Sequence, residues 1–176
     1  MDAKNANEAL KSFIEWLKAE EGPVVLFAHN AKLFDCRRII YSIKICDLMS
    51  SFQSCVVGFV DTLVLFKNIL PQREKYSQES LVADLLGTCY RAHDSLEDVR
   101  ALQQLVSYKE VNDDVIMESS FTMNYAINSM KYCIKKAVNL QSLQPVIALK
   151  VISKGIGEKI AGSGIGIEEV LVSYLS

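Results

Sequence analysis

Proline and glycine are scarce in this sequence, at 3 and 8 of 176 residues, and tryptophan occurs once. So little turn-forming material leaves no room for a long flexible linker or a low-complexity scaffold. Cysteine occurs 5 times, at Cys36, Cys46, Cys55, Cys89 and Cys133, an odd number with no Cys-x-x-Cys pair. Only His29 and His93 could complete a zinc site. The pattern argues against a disulfide framework or structural zinc and for reduced thiols in an intracellular protein. No apolar run reaches the roughly 18 residues of a membrane span, and the first residues hold no apolar core of a secretory leader. Nucleus or cytoplasm is the expected compartment. Charge of one sign is lacking too, since 19 Lys and Arg stand against 21 Asp and Glu for a net charge of −2. No bulk positive field attracts nucleic acid, so any such site must rest on local charge or on metal ions.

What remains is ordinary globular composition, 50% hydrophobic and 23% charged, enough for one domain and a small appendage. Apolar residues at Ala6, Leu10, Phe13, Ile14 and Leu17 have helical spacing and predict a helix over 5–20. Gly22-Pro23 ends it. Val24 to Ala28 is an uninterrupted apolar run after a turn, as a strand buried on both faces would be. Leu33 to Cys46 predicts a helix with a basic outer face, and Cys55 to Asp61 a second strand continuing through Thr62 to Phe66. Pro71 to Ser80 reads as a loop, Leu81 to Leu86 as a short helix and Ser95 to Tyr108 as a longer one. Alternation of this kind predicts an α/β layer with at least two parallel strands. A sheet of two strands is marginal and therefore looks incomplete. Its open edge near Val24 to Ala28 could pair with another chain. Beyond Glu110 no strand is expected, and the predicted helices 121–138 and 140–152 and a glycine-punctuated carboxyl-terminal pair suggest a helical module over 111–176, after an α/β domain over 1–110.

Two segments carry chemistry. His29-Asn30-Ala31-Lys32-Leu33-Phe34-Asp35 stands where the first strand meets the following helix, the edge at which α/β sheets bind ligands. His93-Asp94-Ser95-Leu96-Glu97-Asp98 stands where a loop enters the last helix of the layer. A histidine and a carboxylate held one turn apart can act as general base beside a metal ligand. Taken singly, each segment is equally a helix start: Asp94 or Ser95 as cap, with Asp35, Glu97 and Asp98 as first-turn carboxylates.

As a pair, the segments resemble the second and third motifs of the DEDDh 3′–5′ exonucleases, which have a ribonuclease-H-like fold. The second motif there reads His-Asn, three residues, Phe or Tyr, Asp; the third reads His, four residues, Asp. The stretch Gly58-Phe59-Val60-Asp61-Thr62-Leu63 is similar to the family's strand leading to an Asp-Thr-Leu turn, and the likeness spans about residues 5–107. The resemblance implies a two-ion magnesium or manganese site, with Asp98 as direct ligand and Asp35 as a further site carboxylate, partly through water. It implies His93 as the base that takes a proton from the attacking water, His29 and Asn30 as substrate-binding residues, and the 3′ end of DNA or RNA as substrate. The family's first motif, Asp-x-Glu on an earlier strand, occurs nowhere in the sequence. Either an amino-terminally shortened exonuclease or a domain that has lost catalysis is expected, with little or no activity by itself. The competing expectation is a non-catalytic protein-interaction or targeting module on a degenerate nuclease fold.

The carboxyl-terminal part, through Lys135-Lys136-Ala137 and Ser142-Leu143-Gln144-Pro145 to Tyr174-Leu175-Ser176, resembles the exonuclease-like extension of the long promyelocytic leukaemia protein isoform and its stand-alone fish relatives. Lys154 to Gly162 also has a Gly-x-Gly spacing like that of helix-hairpin-helix modules; a glycine-capped turn between short helices accounts for it as well.

Overall fold

The computed structural model describes residues 5–175 of the chain, without the side chains of 173–175; Ser176 of the carboxyl-terminal likeness lies outside the described residues. The protein is mixed α/β, and its contacts divide it into two compact units, residues 1–126 and 127–176. No helix of the described residues is long and apolar enough to cross a membrane.

The first unit begins with α1 (Ala6–Lys18), whose start is capped by Asn5 accepting from the Asn7 N–H, and which buries Ile14 and Leu17. Strand β1 (Val24–Ala28) follows the Gly22-Pro23 break. Helix α2 (Asp35–Ile45) buries Cys36, Ile40 and Ile43, three and four residues apart on one stripe, and leaves Arg38 and Lys44 outside. A short α3 (Met49–Gln53) buries Phe52. Strand β2 (Val56–Asp61) then runs parallel to β1, with Ala28 level with Asp61. A parallel pair needs such a crossover, and α2 with α3 supply it.

The predicted extension of this second strand through Phe66 is corrected by the structure: 62–69 is helix α4 (Thr62–Ile69). The composition of Thr62-Leu63-Val64-Leu65-Phe66 suits a strand, but the Asp61 carboxylate accepts the Leu63 N–H at 3.1 Å and so starts a helix. The loop expected over 71–80 ends in α5 (Gln78–Leu81), capped by Ser77, and 82–86 forms a π-helical turn closed by Gly87 in the left-handed region. Asp94 caps α6 (Ser95–Val106) by accepting the Leu96 and Glu97 N–H groups.

A second correction follows Glu110, where no strand was expected. After α7 (Asp113–Glu118), Ser120–Thr122 forms β3, antiparallel to β2, so the sheet has order β1-β2-β3 with β2 central. Three residues are too few for a period-2 pattern to stand out; the pairing is visible only once β2 is beside it. Because β3 belongs to this sheet, the first unit extends past 110, and the change of unit falls within α8 (Met123–Ser142). Between sheet and helices lies a core of Val60, Leu65, Phe66, Leu81, Val82, Ala101 and Leu105.

The second unit is helical: the rest of α8, α9 (Gln144–Ala148), α10 (Lys154–Gly162) and α11 (Ile167–Leu175). Predicted helices 121–138 and 140–152 are redrawn, with α8 continuous to Ser142 and α9 ending at Ala148. Ser153 caps α10, and Ser142 Oγ accepts the Ile167 N–H at 3.0 Å at the start of α11.

Candidate functional site

A cleft of about 740 Å³ opens at the carboxyl end of β1. The strand delivers Phe27, Ala28 and His29 to it, the α2 start adds Phe34 and Asp35, and α5 adds Gln78 and Glu79. Tyr90 and His93 enter from the loop before α6, and Asp98, Val99 and Leu102 from α6 itself. The spacing of Asp98 and Leu102 puts them one turn apart on the same helical face. Asp35, His93 and Asp98, from two segments far apart in the chain, thus line one cavity. Three lining residues are carboxylic acids and none is Lys or Arg, so the cleft favours cationic groups.

Two residues here hold backbone conformations uncommon outside glycine. Asn30 has φ +62° and His93 φ +70°, a region that Asn and His enter more readily than most residues. At Asn30 the bend lets its carbonyl accept the Leu33 and Phe34 N–H groups, each at 3.2 Å, which turns the chain from β1 into α2. Asn30 does not line the cleft. At His93 the bend presents an exposed imidazole at the cleft just before the Asp94 cap.

His29 lines the cleft with both ring nitrogens engaged. Nε2 donates to the Tyr76 carbonyl at 2.7 Å, because a carbonyl can only accept, and Nδ1 lies 3.1 Å from the Thr62 hydroxyl. In the neutral ring the hydroxyl therefore donates to Nδ1. Burial lowers the His29 pKa below the usual histidine value, against the opposing pull of the Tyr76 carbonyl and then of Asp61, Glu79 and Asp35. The ring so fastens β1, α4 and the loop before α5 together. Substrate could meet its face, but its nitrogens are taken.

Asp61, only 2% exposed, performs a similar service. One oxygen caps α4 and the other accepts the Lys32 N–H at 3.0 Å, tying the α4 start to the turn that leads to Asp35. Across the cleft, Gln78 Nε2 donates to the Asp98 carbonyl at 2.7 Å. Burial first, then the charges of Asp98 and Glu79, push the Tyr90 phenol up to about 12.

Gln78, Glu79 and Tyr90 were not among the residues singled out in the sequence. Gln78 and Glu79 lie in and beside a stretch with no periodicity, and their place at the cleft comes from the packing of α5 against α6. Oxygen donors of the kind magnesium or manganese prefers are present. Among the described residues, however, no three His, Cys, Asp or Glu side chains stand grouped to hold an ion. The donors fit such an ion in kind and fall short in number. No family model matches the chain, and no curated protein matches it either.

Proposed function

We propose that the first unit is a nucleic-acid-processing domain of the ribonuclease-H-like, DEDDh exonuclease kind, directed at the 3′ end of DNA or RNA and weak or inactive by itself. The observation that carries this reading is the meeting of Asp35, His93 and Asp98 in one acidic cleft at the carboxyl end of parallel strands. These are the residues the motif resemblance names, and motif spacing alone does not require them to meet. Asp98 and Asp35 would hold a divalent ion, which supplies charge to stabilise the oxygens of a phosphodiester under attack. Two carboxylates bind magnesium weakly unless phosphate oxygens of the substrate complete the shell, hence the low expected activity. His93, exposed at the cleft, would accept the proton of an attacking water. Phe27, Phe34, Val99 and Leu102 give apolar walls against which a nucleobase could lie.

The second reading is a non-catalytic interaction module, and the absence of a three-ligand group among the described residues favours it. A 3′-labelled oligonucleotide incubated with the full chain and manganese should shorten only in trace amounts, and Asp98→Asn should abolish that trace. Robust cleavage that survives Asp98→Asn would place the active site elsewhere. No cleavage, joined to indifference to manganese, would favour the interaction module.

A further inference from the structure

Helix α2 turns an unusual stripe outward. Phe34 just before it, then Arg38, Tyr41 and Ile45, follow one another at helical spacing, which places them on one face. Phe34, Tyr41 and Ile45 are 52%, 57% and 65% exposed, and the Arg38 guanidinium lies over the Phe34 ring, 6.0 Å from its centroid. Arg37 and Lys44 flank the stripe on one side. Lys44 is exposed, and Arg37 is half-buried, its Nε out of water and without a hydrogen-bond partner among the described residues. Among those residues, too, none of Arg37, Arg38 and Lys44 is held in an ion pair. Over 32–47 the sequence sets Lys32, Arg37, Arg38 and Lys44 against Asp35 at the cleft and Asp47 beyond the helix. The face between those two acids is therefore cationic and open.

Rings interleaved with cations suit a single strand of nucleic acid, because any base can stack on a ring and the phosphates between bases meet the cations. A helix that lies in a membrane surface keeps its apolar side free of charge and its cations on the opposite face, whereas Arg38 stands within this stripe. Position argues the same way. Phe34 belongs both to the stripe and to the cleft wall, so a strand lying along α2 runs into the cleft. We propose that α2 is the track for a single strand of DNA or RNA, with bases stacked on Tyr41 and on the Phe34–Arg38 pair and phosphates at Arg37 and Lys44. That the 3′ end is the one delivered to the cleft rests on the proposed exonuclease function; the binding itself does not. The 11 residues of α2 span about 16 Å, room for about four nucleotides at the ~3.4 Å spacing of a stacked strand.

The test is binding of the full chain to a 5′-fluorescent single-stranded oligothymidylate, read by anisotropy with a chelator present so that no turnover occurs. The wild type should bind, with an affinity that falls as salt rises. Tyr41→Ala should weaken binding about fivefold or more, the usual effect of losing one stacked base, while Tyr41→Phe keeps the wild-type affinity. Lys44→Gln should lower the slope of log affinity against log salt by about 0.7, the counter-ion release of one phosphate contact on a single strand. Both side chains are exposed, so unfolding temperatures should stay at the wild-type value. Wild-type binding in both Tyr41→Ala and Lys44→Gln, or no binding by the wild type at low salt, would overturn the track. Attachment to vesicles of phosphatidylcholine and phosphatidylserine without oligonucleotide binding would overturn it as well and make the stripe a membrane surface. The expected binding pattern in a chain that cleaves nothing with manganese would uphold the track and remove the exonuclease reading of the cleft.

Discussion

His29 couples the cleft to pH. Its ring is neutral in the fold because burial lowers its pKa, and its Nδ1 accepts from Thr62 while Nε2 donates to Tyr76. Protonation makes Nδ1 a donor, so the Thr62 hydroxyl must turn away, toward the Ala28 carbonyl 3.4 Å distant. In the unfolded chain the same ring titrates near about 6.5. Below that value the unfolded state binds more protons than the folded one, and stability must rise with pH through this window. The stabilisation from neutral His29 is complete above about 6.5 and is lost progressively on acidification. Unfolding temperatures of the wild type measured from pH 5 to 7.5 should therefore climb more steeply than those of His29→Gln, which has no titrating ring. Parallel curves would show that His29 titrates alike in the folded and unfolded chain, so that burial does not lower its pKa.

At the scale of elements, two glycines at close approaches give contrasting expectations. Gly58 lies in β2 opposite β3, and a Cβ there would come within 2.6 Å of the Phe121 carbonyl oxygen, a backbone atom. The strand pair can accept a side chain only by moving apart. Gly157 lies in α10, where a Cβ would meet the Ile147 Cδ1 at the same 2.6 Å, but this is the far end of a flexible side chain. Gly58→Ala should cost about 1–3 kcal/mol, the range for overpacking a tight site. Gly157→Ala should stay within about 1 kcal/mol of wild type, since better helix propensity offsets the displacement of Ile147. Urea unfolding of the two variants checks the order; equal losses would mean that β3 yields as readily as a side chain.

For the whole molecule, the charge lacking overall is present in parts. Residues 127–176 carry Lys131, Lys135, Lys136, Lys150, Lys154 and Lys159 against Glu158, Glu168 and Glu169, while the cleft of the first unit is acidic. A ligand that binds only the folded chain raises its unfolding temperature in proportion to the logarithm of its concentration above the dissociation constant. Millimolar manganese should accordingly stabilise the wild type by a measurable shift in calorimetry, and Asp98→Asn should lose most of it. Stabilisation undiminished in Asp98→Asn would put the ion outside the cleft. No stabilisation of the wild type would leave the interaction module as the better reading.

Much of the fold was legible in local pattern. The helical stripe of Ile14 and Leu17, the apolar runs of β1 and β2 and the Asp94 cap of α6 are properties of neighbouring residues, and they appear where sequence reasoning put them. So is the spacing of His29, Asp35, His93 and Asp98 within their two segments. At Thr62 to Phe66 the apolar run masked a local signal, the adjacent Asp61 that caps a helix. Local pattern failed where a distant group decided: Ser120 to Thr122 became a strand because β2 offered its free edge. The roles within the cleft belong to the same class. Whether His29 presents free nitrogens depends on Thr62 and Tyr76, and whether Gln78 reaches the Asp98 carbonyl depends on how α5 lies against α6. Short-range spacing selects helix and strand because backbone periodicity is local; hydrogen-bond partners and desolvation are set by chain segments that meet only on folding, and these the tertiary structure alone decides.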